Sequence, residues 1–402
     1  MIVSTSYRRR INPTKTRPCV ADSIHTSKVR TLFILRDLRC GGGQRTTLDL
    51  LHHLDRNRFE PTLFLLERKG VYLSEVPPDV KVVFGHKLLK YNKYLMPYYL
   101  AKVAVQARHS DVVIGALELR PTYLAYLVAA LTKRSAIGWV HVPLDKGLQW
   151  VSKLHFLKLR LCYPRLKRVV CVSQGVKQSV LKMAPVKDER VRVIYCPQDL
   201  NSVMEKAKVL LPHWAADVVR KPALIAVGRL SYEKGFDILI RAHAKVLDKG
   251  IEHNLIILGD GPHREELQDL VRHLELTDSV FMPGYVGNPY PLIKKACALV
   301  LSSRYEGLPS VIIEALALGK PVVATACGGP VEILCDGRKG VLVPPEDVDA
   351  LADGISRILS DHRLRRELSR PAIERLRCFS VENIVPQWEQ LLMEIGRQTV
   401  SR

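Results

Sequence analysis

The sequence of 402 residues lacks any apolar run long enough to cross a membrane, and it lacks the apolar core of a signal peptide. A membrane-spanning helix needs about 20 consecutive, mostly apolar residues. The longest apolar runs here, 123–131 and 321–327, have the length of a core helix or a core strand. Residues 1–27 are polar and basic, which predicts a loose arm. We therefore expect a cytoplasmic protein without a membrane-spanning segment.

The cysteines form no functional pattern. They are nine, an odd number, and they are scattered without the spacing of metal ligands. A chain of this length also has little need of disulfide bonds. The Asp-x-Asp sequence Asp347–Asp349 opens a predicted helix, where carboxylates in the first turn are ordinary. We therefore predict a protein of a reducing compartment, with no metal site and no cofactor.

Acidic residues are scarce in the first half of the chain. Residues 1–200 hold 35 Lys and Arg against 14 Asp and Glu, whereas residues 201–402 hold 26 of each, so the first half carries the whole net charge of +21. A nucleic-acid-binding protein is disfavoured by this asymmetry of charge. The sequence also lacks any helix-turn-helix, zinc-binding or aromatic RNA-binding pattern. We expect an anionic membrane surface as a partner, docked through segments such as Lys87–Lys93 and Lys153–Arg168. Plain solubilising charge is the alternative.

Short apolar runs alternate with segments of helical length along the chain, which is typical of βαβ units and parallel sheets. Seven strands are predicted between residues 29 and 195, and six between 223 and 343. The predicted fold class is α/β, with two Rossmann-like, doubly wound parallel-sheet domains that face a central cleft. The predicted units are an arm (1–27), a first domain (28–197), a linker (198–221), a second domain (222–378) and a C-terminal segment (379–402).

Two glycine-containing loops follow predicted strands. Gly41–Gly43 open an amphipathic helix, whose first N–H groups favour anions, although a tight structural turn is an equal interpretation. Gly228–Gly235 follow a strand of the second half. Arg229 can make a two-pronged contact with phosphate and Lys234 adds a point charge, so this loop suits a pyrophosphate. The alternative is an exposed loop with ordinary surface charge.

A third segment places two carboxylates, Glu306 and Glu314, on either side of a predicted helix start at Pro309. Proline is tolerated in the first turn because its missing N–H has no helical partner there. The unpaired amides around that start can bind phosphate while Glu306 binds sugar hydroxyls. Glu314 lies about a turn further on and reaches a different group. The alternative is a solvated pair of glutamates.

Together these segments resemble the GT-B-fold retaining glycosyltransferases of family 4. The resemblance covers residues 28–378 and rests most strongly on Glu306 and Glu314, followed by the glycine-rich stretch 319–330. It implies that the first domain binds the acceptor, that the second domain binds a nucleotide-diphosphate sugar as donor, and that the two domains close on each other. It also implies metal-independent transfer with retained anomeric configuration, and a C-terminal helix after Cys378 that crosses back onto the first domain.

The resemblance also implies roles for individual residues. Arg229 and Lys234 would hold the donor pyrophosphate, and Glu306 would bind sugar hydroxyls beside the reacting carbon. Glu314 would bind the ribose hydroxyls, and His141 would lie near the sugar. The implied catalytic residues are His141, Arg229, Lys234 and Glu306. The implied donor-binding residues are Gly42, Gly43, Gly228, Arg229, Lys234, Gly307, Leu308, Pro309, Ser310 and Glu314.

The activity that the resemblance implies is transfer of a hexose or N-acetylhexosamine from a nucleotide sugar, expected to be a UDP-sugar. The expected acceptor is a glycan or a lipid-linked molecule at the inner face of a membrane, in polysaccharide or glycolipid biosynthesis. The alternative is a catalytically silent, nucleotide-sugar-binding partner of another transferase. Two positions depart from the family pattern, since Cys196 stands where Asn or a small residue is common and Gln44 where Glu is common.

Overall fold

A computed structural model describes residues 28–39, 41–85, 96–147, 153–370 and 373–400. The arm 1–27 and the basic segment Lys87–Lys93 lie outside the described residues. The described chain forms two sheets, of seven and six parallel strands, each covered by helices. The predicted α/β class with two parallel sheets is therefore confirmed.

The first sheet has its seven strands in the order β3-β2-β1-β4-β5-β6-β7. The strands are β1 (Val29–Leu35), β2 (Phe59–Leu65), β3 (Lys81–Phe84), β4 (Val112–Gly115), β5 (Ser135–Val140), β6 (Arg168–Cys171) and β7 (Val191–Val193). The helices are α1 (Gly42–His53), α2 (Met96–Arg108), α3 (Arg120–Thr132), α4 (Leu144–Gly147), α5 (Lys153–Cys162) and α6 (Gln174–Met183). The strands read as nearly continuous apolar runs because helices cover both faces of the sheet.

The second sheet has the order β10-β9-β8-β11-β12-β13. Before it come α7 (Leu200–Lys206) and α8 (Ala215–Val218), inside the segment predicted as a linker. The strands are β8 (Ala223–Val227), β9 (Asn254–Leu258), β10 (Val280–Gly284), β11 (Ala298–Leu301), β12 (Val322–Thr325) and β13 (Val341–Val343). The helices are α9 (Phe236–Asp248), α10 (Arg264–His273), α11 (Tyr290–Lys295), α12 (Ser310–Ala317), α13 (Gly329–Ile333), α14 (Val348–Ser360), α15 (His362–Leu368), α16 (Ile373–Arg377) and α17 (Val381–Val400).

Helix α17 packs on the first sheet although it ends the described chain. It contacts β1, β4, β5 and α1. The fully buried ring of Trp388 lies 4.4 Å from the ring of Trp139 on β5, and Glu389 accepts a hydrogen bond from the backbone N–H of Asp55 at 2.9 Å. The last helix thus fastens the second half of the chain to the core of the first. Among the described helices, none has both the length and the apolar composition that crossing a bilayer requires.

The strand order fixes where ligands can bind. In the first sheet the chain moves outward in one direction from β1 and in the other from β4, and in the second sheet the same switch occurs between β8 and β11. Open parallel sheets bind ligands outside the carboxyl ends of the strands at such a switch point. The loops after β1, β4, β8 and β11 are therefore where a site is expected.

Candidate functional site

Lys234 and Glu306 form an ion pair at the switch point of the second sheet. Lys234 Nζ donates a hydrogen bond to Glu306 Oε1 at 2.5 Å, and the two side chains are only 22% and 11% exposed. Ser303 Oγ donates to the same carboxylate oxygen at 2.7 Å. Burial opposes the charge of Lys234, but the neighbouring Glu306 carboxylate outweighs it and raises the pKa of Lys234. The ammonium group is therefore charged at neutral pH.

Arg229 lies in the same loop as Lys234 but is exposed. Within the described chain its guanidinium makes no hydrogen bond and no ion pair. Gly228 packs against Lys234, since a Cβ atom on Gly228 would lie 3.4 Å from Cδ of that lysine. The structure thus pairs Lys234 with Glu306 and leaves the guanidinium group of Arg229 exposed to solvent.

The turn before α12 offers backbone N–H groups. Helix α12 begins at Ser310, one residue later than predicted, because Pro309 has an extended backbone and caps the helix. Among the described residues, no hydrogen-bond acceptor meets the amides of Gly307, Leu308 or Ser310. Such N–H groups at a helix start can bind an anion or a hydroxyl oxygen.

Glu314 lies one turn into α12 and is half-buried. Burial raises the pKa of Glu314 to about 7, against an opposing effect of the Ser310 hydroxyl, and Asp49 adds to the rise. Asp49 belongs to α1 of the first half, and burial raises the pKa of that carboxyl to about 6. The carboxyl of Glu314 therefore faces the first half of the chain and changes its charge near neutral pH.

His141 follows β5 and is buried. Burial lowers the pKa of His141 to about 3, so its ring is neutral at physiological pH. The ring lies 4.7 Å from that of Trp139. Its Nε2 atom is buried and has no hydrogen-bond partner within the described structure. Such atoms are uncommon in proteins.

Three of the predicted residues meet where the two halves touch. A Cβ atom on Gly307, from the second half, would lie 1.7 Å from the carbonyl oxygen of His141, so only glycine allows this approach. A Cβ atom on Gly43, at the start of α1, would lie 3.3 Å from Cγ of His141. Gly42 has open space around its Cα. Gly43, His141 and Gly307 thus line one point between the halves, and Gly42 borders it.

Glu118 is a site residue that the sequence analysis missed. It follows β4 at the switch point of the first sheet, and its Oε2 atom accepts a hydrogen bond from the backbone N–H of His141 at 3.1 Å. Burial raises the pKa of Glu118. The next residue, Leu119, has a left-handed backbone with φ of 60°. A carboxylate just after a predicted strand was the available signal, but the strand order that makes it important is not visible in the sequence.

Glu332, on α13, was also missed and joins the two halves. Its Oε1 atom accepts a hydrogen bond from the backbone N–H of Gly175 at 2.9 Å, and its Oε2 atom accepts one from the Tyr195 hydroxyl at 3.4 Å. Cys196, one of the departures from the family pattern, is buried beside the interface, and burial raises the pKa of its thiol to about 12. These contacts hold the halves close together on the cleft side.

The Asp-x-Asp sequence lies away from this site. Asp347 caps α14, where its side chain accepts a hydrogen bond from the amide of Ala350 at 2.9 Å, and Asp349 pairs with Lys245. The described ranges contain no group of three or more His, Cys, Asp or Glu side chains that could hold a metal ion.

The site therefore combines cations, free amides, a carboxylate and a neutral imidazole between two α/β units. Cations and helix-start amides suit phosphate oxygens. A carboxylate and a neutral ring nitrogen suit hydroxyl groups. The arrangement is chemically matched to a ligand that has both, such as a phosphorylated sugar.

Two protein-family profiles match this chain. The profile for Glycosyl transferases group 1 matches residues 216–375, and the profile for Glycosyltransferase Family 4 matches residues 40–202.

Among similar proteins, the GalNAc-alpha-(1->4)-GalNAc-alpha-(1->3)-diNAcBac-PP-undecaprenol alpha-1,4-N-acetyl-D-galactosaminyltransferase of Campylobacter jejuni is 33% identical over 372 residues, which are 90% of this chain and 98% of that one. An uncharacterized glycosyltransferase of Methanocaldococcus jannaschii is 35% identical over 198 residues, 42% of this chain and 48% of that protein. The match to this second relative thus spans about half of its length.

Among solved structures, HepE of Anabaena in complex with UDP and glucose superposes with a TM-score of 0.78 and 21% sequence identity, covering 91% of this chain and 100% of that one. At this level of identity the likeness shows the shared fold alone. It agrees with the predicted arrangement of two Rossmann-like units.

Proposed function

Because this chain belongs to the group 1 glycosyltransferases of GT-B fold, we propose that it transfers a hexose or N-acetylhexosamine from a UDP-sugar to a lipid-linked glycan. The Campylobacter relative named above acts, by its name, on an undecaprenol-diphosphate-linked acceptor. HepE was crystallised with UDP and glucose. Both support the proposed classes of donor and acceptor.

The observation that carries the proposal is the Lys234–Glu306 pair beside the point where Gly307 touches His141. A buried cation, a carboxylate, free amides and a neutral histidine meet there. A pure binding partner would have no chemical need for this full set. The geometry therefore favours an enzyme over a silent nucleotide-sugar-binding protein.

In the proposed reaction, the bond from the sugar C1 to the diphosphate breaks and a bond from C1 to the acceptor oxygen forms. The proton of the acceptor hydroxyl passes to the departing diphosphate. Lys234, Arg229 and the amides before α12 stabilise the charge that grows on that diphosphate, and preorganised groups of this kind supply much of the rate enhancement of enzymes. No step of this scheme uses a metal ion.

The remaining residues position the donor. Glu306 accepts hydrogen bonds from hydroxyls of the sugar, and His141 Nε2 pairs with another hydroxyl. Glu314 accepts hydrogen bonds from the ribose hydroxyls. The anomeric configuration is retained, as the family resemblance implies.

The acceptor lies at the inner face of a membrane. The support for this part is the positive charge of the first half and the lipid-linked acceptor in the name of the Campylobacter relative. Anionic lipid head groups attract Lys and Arg near the bilayer surface.

The test is a screen of UDP-sugars with undecaprenol-diphosphate-linked glycans, read as UDP release and as product mass. NMR of the product gives its anomeric configuration, and turnover in the presence of EDTA shows whether the reaction needs a metal ion. We expect UDP release with one of the donors and a product that retains the anomeric configuration of that donor. Turnover should be unchanged in EDTA. Absence of UDP release from every donor would contradict the proposal, and turnover unchanged in Glu306→Ala would contradict the site.

A further inference from the structure

Helix α5 carries an apolar stripe that points into solvent. Leu154, Leu157 and Leu161 recur at the spacing of one helix face and are 56%, 53% and 49% exposed. The core contact of this helix is made by Leu159, which is fully buried on the opposite side. Apolar stripes of surface helices normally face the core, so this outward stripe needs another explanation.

The neighbouring helices extend the same surface. Helix α3 packs against both α2 and α5. Leu131 and Leu127 on α3 and Val105 on α2 are exposed large apolar residues. We call the exposed side of α2, α3 and α5 the three-helix face. Exposed apolar residues on helices that pack together are typical of an interaction site.

The charge of the three-helix face has one sign. The sequences of α2, α3 and α5 contain six Lys and Arg and no Asp or Glu. Arg120 of α3 and Lys158 of α5 both act on His155, whose pKa is lowered by burial first and by these cations next. The cations of different helices are therefore neighbours and lie beside the apolar stripe.

The position of the face relates it to the site. Helices that connect parallel strands begin near the carboxyl edge of the sheet. The first turn of α3, with Arg120, follows β4 and therefore lies toward the edge that also carries Glu118 and His141. The hydroxyl of Tyr123 in α3 donates a hydrogen bond to the carbonyl oxygen of His155 at 3.0 Å, which places the first turn of α5 beside that of α3. A molecule anchored in a surface that touches this face can reach the cleft.

We propose that the three-helix face inserts its leucines into an anionic lipid bilayer, with its cations on the head groups, and so holds the cleft over a membrane-anchored acceptor. The proposal rests on the proposed function for the acceptor, and it adds the binding surface and shallow apolar insertion. Amphipathic surfaces with Leu and Phe on one side and Lys and Arg beside them bind bilayers in this way. A second copy of the chain fits the face poorly because the cations of one copy would meet the same cations of the other.

The experiment is flotation of the full-length protein with vesicles of phosphatidylcholine, with or without about 30% phosphatidylglycerol. The apolar variant is Leu154→Ser/Leu157→Ser/Leu161→Ser, and the charge variant is Lys158→Glu/Arg160→Glu. The matched control is Val209→Ser/Leu210→Ser, because these two residues are exposed apolar residues outside the face. Thermal melting and size-exclusion chromatography check folding and oligomeric state.

We expect the wild-type protein to float with anionic vesicles and part of it to stay bound in about 1 M NaCl, where charge attraction is screened. The bound fraction of the apolar variant should be lower than that of the wild type by at least about tenfold. This variant should also lose the binding that persists at high salt. The charge variant should lose binding mainly at low salt, and the control should bind as the wild type does. Each variant should keep its turnover with a water-soluble acceptor.

Equal binding to neutral and anionic vesicles, or unchanged binding of the apolar variant, would overturn the proposal. So would a change of oligomeric state in the variants without a change in vesicle binding, because the face would then join two copies. If the protein and its variants bind vesicles as expected but no donor gives UDP release, the membrane-binding surface is supported and the proposed function is contradicted.

Discussion

The two α/β units of this protein share a strand arrangement but place their charges differently. In the second unit, Lys234 is buried against Glu306, and Arg304 pairs with Asp237 at 2.8 Å. In the first unit, α2, α3 and α5 have cations and no acidic residue, beside exposed leucines. One unit directs charge into the cleft and the other presents it outward. Charge balance within each half therefore tells more about function than the total of +21.

The largest effect that can test this contrast is expected from Glu306→Ala. The change removes the proposed partner of the sugar hydroxyls and leaves the buried Lys234 unpaired, so kcat/KM should fall by about 10²–10³-fold. Steady-state kinetics with the best donor measure it. Glu252→Ala, which removes an exposed carboxylate, is the control and should leave kcat/KM within about twofold. A loss that is equally large in both variants would show a general effect of charge instead.

Gly307→Ala tests whether the units must meet at His141. A Cβ atom would lie 1.7 Å from the carbonyl oxygen of His141 and would push the units apart. Displacement of reacting groups by about 1 Å costs about 10²-fold in rate, and we expect a loss of that size in kcat. Gly287→Ala adds the same methyl group where a Cβ meets nothing within 4 Å. Wild-type kcat in Gly307→Ala would contradict the closed arrangement.

A third test concerns a histidine pair buried in the second unit. His243 Nδ1 lies 2.8 Å from His253 Nε2, and burial lowers the pKa of His243 from 6.5 to about 3 and that of His253 as well. The unfolded chain therefore takes up protons below pH 6.5 that the folded chain does not. The free energy of unfolding should be constant above this pH and fall below it, by about 1.4 kcal/mol per pH unit from His243, and the lowered pKa of His253 adds to the loss. Urea unfolding at several pH values measures it, and a constant free energy of unfolding between pH 7 and 5 would contradict it.

The smallest expected effect concerns Glu314. Its pKa of about 7 makes it partly protonated at neutral pH. A carboxylate accepts hydroxyl hydrogen bonds better than a carboxylic acid, so UDP affinity should rise by about three- to tenfold from pH 6 to pH 8. In Glu314→Gln this dependence should flatten. Calorimetry at both pH values measures it, and an equal pH dependence in the variant would assign the titration to another group, such as Asp49.

Much of the fold could be predicted because its signals are local. In the second half, short apolar runs between turn residues predict strands at Ala223–Val227 and Asn254–Leu258, and β8 and β9 have these bounds. The apolar run 62–66 predicts a strand over Thr62–Leu66, whereas β2 covers Phe59–Leu65. Pro61 lacks only its N–H group, and it still pairs with Thr31 of β1.

The site was predicted in part. Lys234, Glu306, Gly307 and His141 were singled out from their segments, but Glu118 was not. Its importance depends on β4 lying beside β1, a pairing between segments about 80 residues apart. Likewise, the leucines of α5 have the spacing of a core stripe, and only their exposure opposite the buried Leu159 shows that they face outward.

The sequence by itself determined the α/β class, the charge asymmetry and the motif residues, because hydrophobic periodicity and residue chemistry act over a few neighbours. Only the tertiary structure decided that Lys234 pairs with Glu306 and that Gly307 reaches His141. These are contacts between distant segments. They depend on strand order and on the approach of two units, which residue spacing does not encode.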